Sequence, residues 1–147
     1  MRWRPLAAAG FTPNQITWTG LVLVLANCAL YTAHRQNLWF GLGLAFSFAF
    51  DALDGAVARL TGKSSKYGAY LDAVIDRYQE IAAYLAIGFV SGWWVECFLA
   101  LSGSLMVSYN KARTSLEIPI DNDNWPDLME RLERIALLCI ALVVDAV

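Results

Sequence analysis

Residues 16–33 contain no charged side chain, and a helix of about that length crosses the roughly 30 Å hydrocarbon core of a bilayer. Further apolar stretches follow at 38–59, 69–90, 93–109 and 128–147. Composition agrees: 58% of the residues are hydrophobic and 16% charged, against about 45–50% and about 25% in soluble domains, and the mean hydropathy is +0.45. Short polar breaks at 34–37 and 91–92 alternate with longer connections at 61–68 and 111–127. No stretch alternates with the period of two that marks strands. The expectation is an all-α integral membrane protein, a single domain over 1–147 built as a bundle of about five transmembrane helices.

The formal net charge of -2 gives no basic excess for binding nucleic acid. Arg2, Arg4, Arg59, Lys63, Lys66, Lys111, Arg113, Arg131 and Arg134 fall on the side of the long connections and only Arg35 on the other. Basic flanks stay inside, so the long connections are expected to be cytoplasmic. The stretch 6–10 reads as a short N-terminal interfacial helix, and Thr12, Pro13 and Gln15 read as a capping box that launches the first span. Cys28, Cys97 and Cys139 lack the spacing of a zinc or redox site and read as core filler. Gly41 and Gly43 lie mid-span without the third glycine of a nucleotide loop, which points to close helix packing.

The acids between positions 51 and 76 need a different explanation. Asp51 and Asp54 are three apart at the end of the second span, about 60° apart on one helical face; Asp72 and Asp76 are four apart at the start of the third, about 40° apart. Carboxylates within spans usually face the bundle interior and mark a working site. Four of them on two facing stripes suit two hard divalent cations, Mg²⁺ or Mn²⁺, the arrangement that clamps both oxygens of a phosphoryl displacement. The plainer alternative is solvated helix ends with salt bridges to Arg59 or Arg77. Beside the acids, Gly55, Ala58 and Gly68 leave bare helix surface, and Arg59 offers a guanidinium suited to phosphate.

Asp51, Asp54, Gly55, Ala58, Arg59, Gly68, Asp72 and Asp76, at this spacing without a gap, resemble the signature of the CDP-alcohol phosphotransferase family. The stretch 12–17 is similar to that family's opening of the first span. The resemblance implies a membrane enzyme that moves a phosphatidyl-type group from a CDP-linked lipid to an acceptor hydroxyl and releases CMP, working as a homodimer with its active site facing the cytoplasm of the cell membrane. By position, Asp51, Asp54, Asp72 and Asp76 would hold the two metals, with Asp76 also the general base. Gly55, Ala58, Arg59 and Gly68, with Asn14 and Thr17, would line the site for the CDP substrate. Family members usually carry six spans, so the last is expected to be missing from these 147 residues.

A second basic cluster bears on the acceptor. Tyr109, Lys111 and Arg113 close the fourth apolar stretch, and Arg131 and Arg134 open the fifth. A fork of arginines suits a phosphate-bearing acceptor, and the pattern is similar to the branch that makes phosphatidylinositol phosphate or its archaeal ether-lipid equivalent from inositol phosphate. Acceptors such as glycerol phosphate or serine stay open, as does topology alone as the reason for these charges. A different class, a cation or proton transport protein or a non-catalytic partner, would spread its acids through the bilayer, whereas these cluster at one surface.

Overall fold

The computed structural model describes residues 13–60, 65–118 and 129–145, with side chains throughout except at 13 and 50–60. Among these residues every regular element is a helix: α1 (Pro13–His34), α2 (Asn37–Leu60), α3 (Lys66–Ser91), α4 (Trp94–Glu117) and α5 (Arg131–Val144). The interfacial helix expected at 6–10 and the Thr12 cap lie outside the described residues. By length and composition one described helix, Asn14–His34, is apolar enough to cross a membrane. The all-helical class matches the expectation; the number of spans is not decided by hydropathy alone.

Local chemistry fixes the helix ends. Arg35 adopts a left-handed φ of 52° and its N–H donates to the Tyr31 carbonyl at 2.8 Å, so α1 and α2 are joined across Arg35 and Gln36. Gly92, with φ 80°, closes α3 by donating to the Gly88 carbonyl, a conformation glycine adopts without a Cβ clash. The Ser65 hydroxyl caps the start of α3 by accepting from the Gly68 N–H at 2.9 Å. Two boundaries differ from the hydropathy reading. α4 continues through the basic stretch to Glu117, supported by an Arg113–Glu117 ion pair one turn apart at 2.8 Å. α5 starts at Arg131 rather than near 128, behind a reciprocal cap in which Glu130 and Glu133 each accept from the other's backbone N–H.

α1 packs against both α2 and α3, α2 against α5, and α3 against α4. The core joins Val24, Cys28 and Tyr31 of α1 to Phe40 and Leu44 of α2, Ala83 and Ile87 of α3, and Ile135 and Cys139 of α5. Tyr31 stacks on Phe40 with ring centroids 4.0 Å apart. The three cysteines are buried and unbridged. The two glycines near the start of α2 allow close packing: a Cβ on Gly41 would meet Leu142 Cβ at 3.1 Å, and one on Gly43 would meet the Asn27 amide at 2.4 Å. At the end remote from the acids, the Tyr31 hydroxyl donates to Asn37 at 2.6 Å and the Asn37 amide donates to Asp145 at 2.5 Å, which ties α1, α2 and α5 together.

Candidate active site

α3 carries the described half of the acidic cluster. Asp72 is exposed and Asp76, one turn on, is buried at 8% exposure. The same stripe continues inward to Gln79 and Glu80, both buried. A carboxylate this far from water needs a cation, and α5 supplies it: Arg131 Nη1 lies 2.7 Å from Asp76 Oδ1. The same guanidinium donates through Nη2 to Gln79 Oε1 at 2.7 Å and sits 5.3 Å over the Phe48 ring. Arg77 Nη2 is 3.9 Å from Asp76 Oδ2, a looser version of the salt bridge considered from the sequence.

Glu80 gathers the remaining cations. Arg77 Nη1 and Arg134 Nη2 each lie 3.4 Å from its Oε1, and Arg131 Nε lies 3.8 Å from it. The Ser104 hydroxyl of α4 donates to its other oxygen. Arg77 also donates to Ser108 at 2.6 Å, and Arg134 Nη1 donates to the carbonyl of Met129 at 2.6 Å. Met129 holds a left-handed φ of 68° immediately before the Glu130 cap.

Arg77, Ser108, Arg131 and Arg134 border a cavity of about 1190 Å³ between α3, α4 and α5. Its wall is apolar along Val74, Ile81 and Leu105 and basic at Arg77, Lys111, Arg131 and Arg134. Tyr109 also lines it, and Lys111 is 3.7 Å from Glu130. Of the five residues singled out for an acceptor, Tyr109, Lys111, Arg131 and Arg134 therefore converge. Arg113 does not line the cavity; it turns outward to Glu117. Periodicity places a residue on a face without saying what that face meets, so Arg113 read like its neighbours.

At the start of α3, Gly68 faces α1: a Cβ there would lie 3.5 Å from Asn14 Oδ1 and 3.1 Å from Ser65 Oγ. Asn14 and Gly68 thus share one surface, with Thr17 three positions along α1 from Asn14. Asp51, Asp54, Gly55, Ala58 and Arg59 lie on the last turns of α2, and their side chains are outside the described set. Gln79, Ser104 and Ser108 were not singled out from the sequence. Their signal was present: Ser104 and Ser108 are four apart, on one face of α4, and Gln79 and Glu80 extend the Asp72, Asp76 stripe by another turn.

The sequence profile of the CDP-alcohol phosphatidyltransferases matches residues 11–146. The chain belongs to that family. It is 41% identical to the archaetidylinositol phosphate synthase of Pyrococcus horikoshii over 147 residues, covering 98% of this chain and 76% of that protein. Identity to the phosphatidylinositol phosphate synthase of Streptomyces avermitilis is 29% over 145 residues, covering 92% of this chain and 58% of the relative. Among solved structures, the Mycobacterium tuberculosis phosphatidylinositol phosphate synthase with CDP-DAG bound superposes with a TM-score of 0.83 at 26% identity, over 97% of this chain and 73% of that one. The same synthase in complex with manganese and citrate gives a TM-score of 0.83 as well. The family and the helical fold are thereby the ones that the acid spacing implied.

Proposed function

We propose that the protein transfers the phosphatidyl-type group of a CDP-linked lipid to a hydroxyl of a phosphorylated small acceptor, inositol phosphate, and releases CMP. The observation that carries this reading is the convergence of Arg131 and Arg134 on one cavity, with the buried Asp76 held 2.7 Å from Arg131. The relatives' names support inositol phosphate over glycerol phosphate or serine.

In the reaction, the acceptor oxygen attacks the phosphorus that bears the lipid, its bond to CMP breaks, and the hydroxyl proton passes to Asp76. Arg131, Arg134 and Lys111, with Tyr109 beside them, bind and orient the acceptor's phosphate, the guanidiniums presenting paired donors to its oxygens. Asn14, Thr17, Gly55, Ala58, Arg59 and Gly68 receive the cytidine diphosphate, with Asn14 and Gly68 close together where α1 meets the start of α3. Asp51, Asp54, Asp72 and Asp76 would hold two divalent cations; an all-carboxylate donor set, one member of it buried among protein groups, fits Mg²⁺ or Mn²⁺. Such ions supply charge neutralisation at the transferred phosphoryl and the departing CMP.

The bundle sits in the membrane. Leu30 of α1, Phe46 of α2, and Phe98 and Leu99 of α4 are each more than 60% exposed, a shell of outward apolar side chains that lipid covers and water would not. The helices span it, with the site facing the cytoplasm, where Lys66 and Lys111 lie. The protein works as a homodimer, as expected for the family.

The test is CMP release from a CDP-linked lipid in lipid discs with Mg²⁺ or Mn²⁺, offered inositol phosphate, glycerol phosphate, inositol or serine, with Asp76→Asn as control. Metal-dependent release with inositol phosphate, lost in the control, is the expected result. Release with an unphosphorylated acceptor alone would overturn the acceptor assignment, and full turnover by Asp76→Asn would remove it as base.

A further inference from the structure

Glu80 touches no part of the cavity that an acceptor would enter, yet it sits against three of the cations around it. It is 3% exposed and is absent from the cavity wall that Arg77, Arg131 and Arg134 line. Its Oε1 faces Arg77 and Arg134 at 3.4 Å each and Arg131 at 3.8 Å, while Ser104 donates to Oε2. One carboxylate therefore connects α3, α4 and α5 from behind the site.

We propose that Glu80 is a positioning residue for the acceptor-phosphate pocket, holding the three guanidiniums in the arrangement they present to the cavity. This rests on the acceptor reading above. Three guanidiniums repel one another, and each long side chain loses considerable rotamer freedom when fixed. Asp76 engages Arg131 tightly, whereas the carboxylate beside Arg134 is that of Glu80. Glu80 meets Arg134, and Ser104 fixes Glu80 in turn. A guanidinium carries five N–H donors, so Glu80 takes one edge of each and leaves others for phosphate oxygens. An apolar residue at this depth would be cheaper to bury, but it would leave the fork unformed.

Positioning and charge alone predict opposite signs. Removing the Glu80 charge makes the pocket more positive, so a residue that only neutralised would, when lost, leave phosphate bound more tightly. A residue that positions would, when lost, leave phosphate bound more weakly.

The test uses the full chain in lipid discs, with steady-state kinetics in inositol phosphate and in CDP-linked lipid, and inorganic phosphate as a competitive probe. Glu80→Gln is expected to raise the acceptor KM and the phosphate inhibition constant by about tenfold or more, the loss of a charge-assisted contact, with the donor KM within about twofold. Glu80→Asp should recover part of the loss. Ser104→Ala, which frees Glu80 without changing its charge, should shift the acceptor KM in the same direction by less, and decides the matter if Glu80→Gln does not fold. Tighter phosphate binding in Glu80→Gln, equal shifts in both KM values, or an unchanged acceptor KM in folded Ser104→Ala would each overturn the role. Wild-type protein that prefers free inositol and ignores phosphate would withdraw the acceptor reading and this role together, and is recognised without any variant.

Discussion

The contact between Asn27 and Gly43 allows a prediction whose sign reverses with background. A Cβ at position 43 would fall 2.4 Å from Asn27 Oδ1 and 2.7 Å from both Cγ and Nδ2, so the whole amide would have to move. That amide donates to the Phe40 carbonyl at 3.1 Å, and turning it away loses the bond. Overpacking costs about 1–3 kcal/mol and a lost hydrogen bond about 1 kcal/mol, against about 1 kcal/mol gained from alanine in a helix interior. Gly43→Ala is therefore expected to destabilise by about 1–3 kcal/mol. With Asn27→Ala already present the obstruction is gone, and the same substitution should stabilise by up to about 1 kcal/mol. Equilibrium unfolding of the four proteins in mixed micelles measures the cycle, and the coupling should be about 2–4 kcal/mol. Additive effects, or a neutral Gly43→Ala in the parent, would refute the close approach of α1 and α2. Asp51 lies about 12 Å further along α2, so Gly43→Ala should also slow CMP release while Asn27→Ala/Gly43→Ala restores much of it.

Arg113→Ala should leave the acceptor KM within about twofold and stability within about 0.5 kcal/mol, because its partner is an exposed Glu117; steady-state kinetics beside Arg134→Ala, which should raise the acceptor KM, makes the comparison. Stripping divalent ions with a chelator should abolish CMP release, and adding back Mg²⁺ or Mn²⁺ should restore it; turnover that persists in chelator would contradict the metal assignment. Asp145→Ala removes the acceptor of the Asn37 amide and should lower stability by about 1–2 kcal/mol with kcat nearly unchanged, since this contact is at the end remote from the acids. Unfolding and turnover measured on one preparation check both halves.

Legibility followed the range of the interactions. The breaks after α1 and α3 were readable because polar residues and Gly92 interrupt apolar runs locally. The end of α4 was not, because hydropathy marks where a helix leaves an apolar environment and not where it stops; Arg113 and Glu117 continue it. The start of α5 was missed because Glu130 is an unusual N-cap, and its reciprocal bond with Glu133 is visible only in coordinates. The acid spacing identified the family, and helical periodicity put Asp72 and Asp76 on one stripe. That Arg131 reaches Asp76 and that Ser104 meets Glu80 depend on which helices are neighbours, which no window of sequence contains.

α3 has 26 residues, about 39 Å of helix, so it is longer than a hydrocarbon core of about 30 Å is thick. In the membrane arrangement proposed above, with Ser91 at the outer boundary, the hydrocarbon would end about twenty residues back, near Asp72, and Asp76 would lie about 6 Å deeper. On that placement the acids would run from the level of the lipid's own glycerol and phosphate, at Asp72, to the top of its hydrocarbon, at Asp76. The fatty or isoprenoid tails would then never need to leave their leaflet during turnover; the water-soluble partner would make the descent, through an opening whose arginines replace the water it sheds.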